Sequence, residues 1–139
     1  MATFAELGVS FEYPDDWEVD AQPGDRESAV TVQTPGSAFL LLTLIADRPS
    51  ADHVLNSAQK ALEEEYADCE VEVGDSAIPG VDAEVRGIDF TCHDLVTHAT
   101  LQAYDAGRQT VFVMTQRADI EADEVDAGFR QIESSLRVR

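Results

Sequence analysis

Lysine is almost missing from this chain. Lys60 and eight arginines stand against 28 aspartates and glutamates in 139 residues, a formal net charge of −19 and a pI near 4.1. A field of that sign repels phosphate backbones and anionic lipid, which excludes nucleic acid and membrane surfaces as partners and leaves basic proteins open. The acids are spread along the whole chain rather than gathered in one docking patch. That spread suits a salt-rich cytoplasm, where screening shortens self-repulsion to about 3 Å at 1 M salt. A GC-rich genome would also favour arginine over lysine, so composition does not fix the habitat. Cysteine is scarce too: Cys69 and Cys92 are too few for a disulfide framework and form no Cys-x-x-Cys pair, which points to a reducing compartment with at most one bridge. The N-terminal Met-Ala-Thr-Phe-Ala-Glu-Leu-Gly has no basic residue leading into an apolar stretch, so neither signal peptide nor anchor is expected and the protein is placed in the cytoplasm. No catalytic, nucleotide-binding or metal motif stands out.

What is present is a chain of ordinary single-domain size, with no linker, repeat or low-complexity tract, able to bury roughly two-thirds of its unfolded surface. Its centre is Ala38 to Ala46, Ala-Phe-Leu-Leu-Leu-Thr-Leu-Ile-Ala, too continuously apolar for a wet face and too short to cross a bilayer. It reads as the central strand of a sheet covered on both sides. Before it, Phe4 to Leu7 reads as a short strand. Val9, Phe11 and Tyr13 then alternate with Ser10 and Glu12, and Pro14-Asp15-Asp16 stops the ladder and presents Trp17 from a bend as a plug over the core. Gln22 to Asp25 is a loop, and Ser28 to Thr34 pairs with the central run through a Pro35-Gly36 turn. From Ser50 to Tyr66 the period becomes helical, with Val54, Leu55, Ala58, Leu62 and Tyr66 on one stripe and Ser50 as N-cap; Glu63, Glu64 and Glu65 form a solvated face. Glu70 to Val73 reads as a short strand. A second helix runs from about Asp119 to Leu136 on Val125, Phe129, Ile132 and Leu136.

Between the helices lie three strands, Val81 to Cys92, Leu95 to Tyr104 and Gln109 to Arg117, joined at His93-Asp94 and Ala106-Gly107. Two-residue turns at both joints oppose Cys92 to Leu95 and Asp105 to Arg108. One face then carries Ile88, Phe90, Cys92, Leu95, Ala99, Leu101, Phe112 and Met114. The other carries Asp89, Thr91, His98, Thr100, Gln102, Tyr104, Gln109, Val111, Val113 and Thr115, and the clean separation supports the register.

Phe11-Glu-Tyr13-Pro14-Asp-Asp-Trp17, followed by hairpins, a helix, a meander and a closing helix ending in Ser134-Ser135-Leu136, resembles the PsbP-like superfamily. That group holds the extrinsic photosystem subunit, a Ran-binding nuclear import factor and bacterial proteins of unknown or chaperone-like role. The resemblance implies an α+β fold, an antiparallel sheet flanked by helices in an α/β/α sandwich, and binding rather than catalysis. Residues 11 to 17 match a structural motif, so no family binding residue transfers. The resemblance does not include the photosystem subunit's N-terminal extension, so that subunit's role is not expected.

The register lines up Asp89, His98 and Thr115 across three strands, in outline an acid, base and hydroxyl triad. Threonine nucleophiles usually depend on a chain-terminal amine, and no oxyanion-stabilising turn lies near, so the bland reading is a cross-strand polar network. His93, His98, Asp89 and Asp94 are metal candidates whose side chains need not converge. Asp119 to Asp126 has the charge of a calcium loop, but Glu124 stands where the EF-hand needs glycine, and the stretch reads as a helix start. The mixed face, Asp89, His98, Thr100, Gln102, Tyr104, Val111, Val113 and Thr115, is the candidate partner or ligand surface unless a helix covers it. The expectation is a non-enzymatic protein-binding module, adaptor or chaperone-like, without cofactor or metal, acting alone or as a homodimer. One alternative is a hydrolase or metal-dependent enzyme using Asp89 and His98. The other is a carrier of a small apolar ligand, which needs a deep cavity beside Tyr104 and Trp17.

Overall fold

Strict alternation of side chains decides which face of each strand is buried, and in this chain it builds two cores on opposite sides of one sheet. The computed structural model describes residues 1–139. The strands are β1 (Ala2–Glu6), β2 (Val9–Tyr13), β3 (Glu18–Gln22), β4 (Glu27–Gln33), β5 (Phe39–Ile45), β6 (Glu70–Asp75), β7 (Glu84–Cys92), β8 (Leu95–Asp105), β9 (Thr110–Ala118) and β10 (Arg137–Val138). Helix α1 (Ala51–Glu65) follows β5, and α2 (Ala122–Ser135) follows β9 through a 3-10 turn at Asp119–Glu121. Seven strands pair antiparallel in the order β3-β4-β5-β9-β8-β7-β6, while β1, β2 and β10 make a second, three-stranded sheet.

One face of the large sheet meets α2 and the small sheet. Val30, Val32, Leu40, Leu42, Leu44, Val111 and Val113 pack there with Phe11, Trp17, Phe129 and Ile132. Trp17 is buried and sets its edge on Phe129 at a centroid distance of 5.5 Å, the core plug expected of it. The opposite face meets α1, where Leu55 packs with Ile88, Phe90, Ala99, Leu101, Ala103 and Phe112. Ser50 caps α1, its hydroxyl accepting from the His53 amide at 3.3 Å. Helices thus lie on both faces of an antiparallel sheet, and Leu101 and His98 point to opposite sides of it.

Three details differ from the sequence reading. The β7–β8 turn opposes Cys92 to Leu95 as expected, with His93 and Asp94 at φ 51° and 62° as a type I′ turn requires. The β8–β9 turn is two residues longer: Asp105 opposes Thr110, not Arg108. The Asp105 carboxylate accepts from the Gly107 amide at 2.7 Å, an Asx turn that widens the loop, and Gly107 takes φ 94°. A slip of two residues leaves every side chain on its face but moves Thr115 from His98 to Thr100 and puts Arg117 opposite His98. The central run is covered unevenly. Leu40, Leu42 and Leu44 are buried, whereas Phe39, Leu41 and Ile45 are half-buried and belong to neither core, because α1 lies across β8 and β9 instead of β5. Finally, β3 and β10 join strands the sequence did not announce. At the far edge, all six residues of β6 are exposed, including Val71 and Val73.

Candidate functional site

The mixed face is divided by α2. Gln102, Val111, Val113 and Thr115 are buried. The two valines belong to the same core as Phe129 and Ile132, so this half is closed to any partner. Asp89, His98 and Thr100 stay half-exposed beyond the helix. His98 Nδ1 lies 2.8 Å from Asp89 Oδ1, and the ring rests over Gly87, where a β-carbon would approach Cε1 to 3.0 Å. A larger residue there would push the ring aside by a few tenths of an ångström. In neutral imidazole with Nδ1–H donated to the carboxylate, Nε2 becomes the acceptor.

Beside this pair is a cleft of about 160 Å³, also lined by Thr115, Arg117 and Glu133. Its parts are mostly engaged with each other. The Thr100 and Thr115 hydroxyls bond one another, and the Arg117 guanidinium is held by Asp126 at 2.8 and 3.2 Å and Asp119 at 2.9 Å. Glu133 differs: burial pushes its carboxyl above the usual range, with Arg130 pulling partly the other way. The expected Asp89–His98–Thr115 row is therefore corrected to Asp89–His98–Arg117, and the hydroxyl that a hydrolytic triad needs is not beside the imidazole. His93 and Asp94 form the exposed β7–β8 turn, and no three His, Cys, Asp or Glu side chains converge as a metal site.

The remaining residue of the candidate surface, Tyr104, lines the largest concavity, a groove of about 640 Å³ at the end of the sheet. Its walls come from the first turns of α1, the 78–84 loop, the end of β8 and the C-terminal Leu136 to Val138. The floor is apolar: Leu55, Ile78, Ala103 and Leu136 are buried and Tyr104 half-buried. Burial raises the Tyr104 phenol to about 12. Gln102 acts on the groove from behind. Its Oε1 accepts from the Ser76 hydroxyl at 2.6 Å, and Ser76 Oγ accepts from the Ile78 amide at 3.1 Å, so a buried amide pins the loop that forms one wall. Trp17 is not part of this lining. The sequence reading missed the groove because its walls are assembled from four separate segments; one of them turns at Gly80, with φ 78°.

The fold has solved counterparts. LpqN of Mycobacterium tuberculosis, described as involved in cell envelope biogenesis, superposes with a TM-score of 0.61 at 11% identity, over 99% of this chain and 89% of that one. The cyanobacterial PsbP (CyanoP) of Synechocystis sp. PCC 6803 gives 0.55 at 17% identity, over 99% and 92%. The fold is PsbP-like, as the Phe11 to Trp17 stretch implied. No family model matches the sequence, and no curated protein does. No helix is long and apolar enough to cross a membrane.

Proposed function

We propose that this single-domain, PsbP-like protein is a non-enzymatic binding module, adaptor or chaperone-like, that holds a segment of another protein in the groove beside Tyr104. The groove itself carries this reading: an apolar floor within an open, sheet-end concavity, with its 78–84 wall fixed by Gln102 and Ser76. Tyr104 and Gln102 are kept from the eight candidate residues, the first as lining and the second as a positioning residue. A cytoplasmic location is part of the proposal, and the two free thiols, Cys69 and Cys92, fit it. The enzyme alternative loses support from the Thr115 register, which removes its hydroxyl from His98.

The test is affinity capture from the native cytoplasm at native salt, with a photo-crosslinker at Val81 on the groove wall or at Val71 on the far edge. A partner crosslinked from Val81 and not from Val71, and lost on Ala83→Trp, is the expected result. His98→Ala should leave that capture unchanged. The carrier alternative keeps the groove's volume, which is that of a small-ligand site, but not Trp17, which does not line it; an apolar fluorophore displaced by a lipid-like molecule but by no protein segment would select it.

A further inference from the structure

We infer that the groove selects a cationic amphipathic segment, one that sets an apolar side chain on the floor and a guanidinium or ammonium against the rim. This rests on the groove being the binding site. Four carboxylates line it, those of Asp52, Asp82, Glu84 and Asp105, against one guanidinium, that of Arg137. Arg137 donates to the carbonyls of Leu136 at 2.8 Å and Ser134 at 3.4 Å and has no carboxylate partner. Glu84 is paired with Arg86 at 3.0 Å and Asp105 with Arg48 at 2.8 Å. Asp52 and Asp82 have no ion-pair or hydrogen-bond partner. Asp52 answers the positive end of the α1 dipole, which leaves Asp82 as the carboxylate most available to an incoming cation.

The rim also decides against other occupants. A second copy of this chain would bring an equally acidic surface to an acidic groove, with −19 on each side. An anionic ligand meets four carboxylates against a single guanidinium on the lining. A neutral apolar segment would satisfy the floor but leave Asp82 without a partner, so specificity resides in the charge and affinity in the apolar contact.

The experiment measures fluorescence anisotropy of short labelled peptides alternating leucine with arginine, glutamine or glutamate. It is run in 1 M KCl, where the Debye length is about 3 Å and the field of the whole protein is screened. The arginine peptide should bind at least about tenfold tighter than the glutamine peptide. Asp52→Asn with Asp82→Asn should abolish that preference. Asp16→Asn with Asp25→Asn, two exposed carboxylates elsewhere, makes the same change in net charge and should preserve it. Equal binding of the arginine and glutamine peptides, both lost on Ala83→Trp, would overturn the charge inference and leave the groove standing as the site. Equal loss of preference in the two double variants would overturn it in favour of bulk electrostatics. Binding of no peptide to a protein whose circular dichroism is native would overturn both.

Discussion

The six-membered ring of Trp17 occupies the place where a β-carbon on residue 128 would have to be. A methyl group on Gly128 would lie 2.3 Å from Cη2 and 2.6 Å from Cζ2 of the indole. The indole also packs edge-on against Phe129. Gly128→Ala must therefore expel the ring or tilt α2, and overpacking of this kind costs about 1–3 kcal/mol, occasionally more. Urea unfolding should show that loss. Gly74→Ala, on the exposed edge strand with nothing within 4 Å of the new carbon, should stay within about 0.5 kcal/mol of the parent.

Gln102 ties the groove wall to the sheet through one partly buried hydrogen bond. Gln102→Leu keeps the volume and removes the acceptor, leaving Ser76 to hold Ile78 without support of its own. A stability loss of about 1–2 kcal/mol is expected. The more telling readout is hydrogen exchange: protection should fall at the Ile78 and Val81 amides and persist at Leu40 and Leu42 in the sheet centre.

Two glutamates of the α2 region should act oppositely as pH falls. At Glu121 burial favours the neutral acid, but donors from Ser37, at 2.7 Å from its hydroxyl and 3.0 Å from its amide, and from the Ala118 amide at 3.1 Å hold the net value below 4.5. The folded state thus prefers the carboxylate; its stabilisation is present above 4.5 and is lost as pH falls through the lowered folded value. At Glu133 burial raises the folded value, so the native state prefers the neutral acid, and stability from this group grows as pH falls from above that value toward 4.5. Glu121→Gln should cost about 1 kcal/mol at pH 7 and little at pH 3. Glu133→Gln should stabilise at pH 7, with the gain gone by pH 4. Denaturant melts of both variants at three pH values check the opposed slopes.

Salt should stabilise this protein. Its six ion pairs, the Asp89–His98 contact aside, leave most of the 28 carboxylates uncompensated, and screening relieves their mutual repulsion in the compact state. The thermal midpoint is expected to rise by several degrees between 0.05 and 1 M KCl. A midpoint that stays flat over that range would mean that the acidic surface carries no electrostatic cost in dilute buffer.

Most of the strand order was legible because alternation is a local property: Val9, Phe11 and Tyr13, or Ile88 and Phe90, declare their buried face within a few residues. The length of the β8–β9 turn was not, because a side chain decides it. Asp105 capping Gly107 competes with the shorter turn, and nothing in the alternation of β8 and β9 reports that competition. β3 was missed for a different reason. Only Val19 and Ala21 face the core between Glu18, Asp20 and Gln22, too little apolar signal for a strand that earns its place through β4. The groove is the extreme case, since Leu55, Ile78, Tyr104 and Leu136 meet only after both helices have docked.

The bare rim of β6 bears on how such a chain survives at high concentration. A strand with unpaired amides and two exposed valines is an invitation to zip onto its own kind. A two-fold pairing of two such strands sets Glu72 on or beside its twin and brings Glu70 toward Asp75, so the glutamates do here what lysines do at the margins of other sheets. Their repulsion opposes the joining of identical molecules edge to edge.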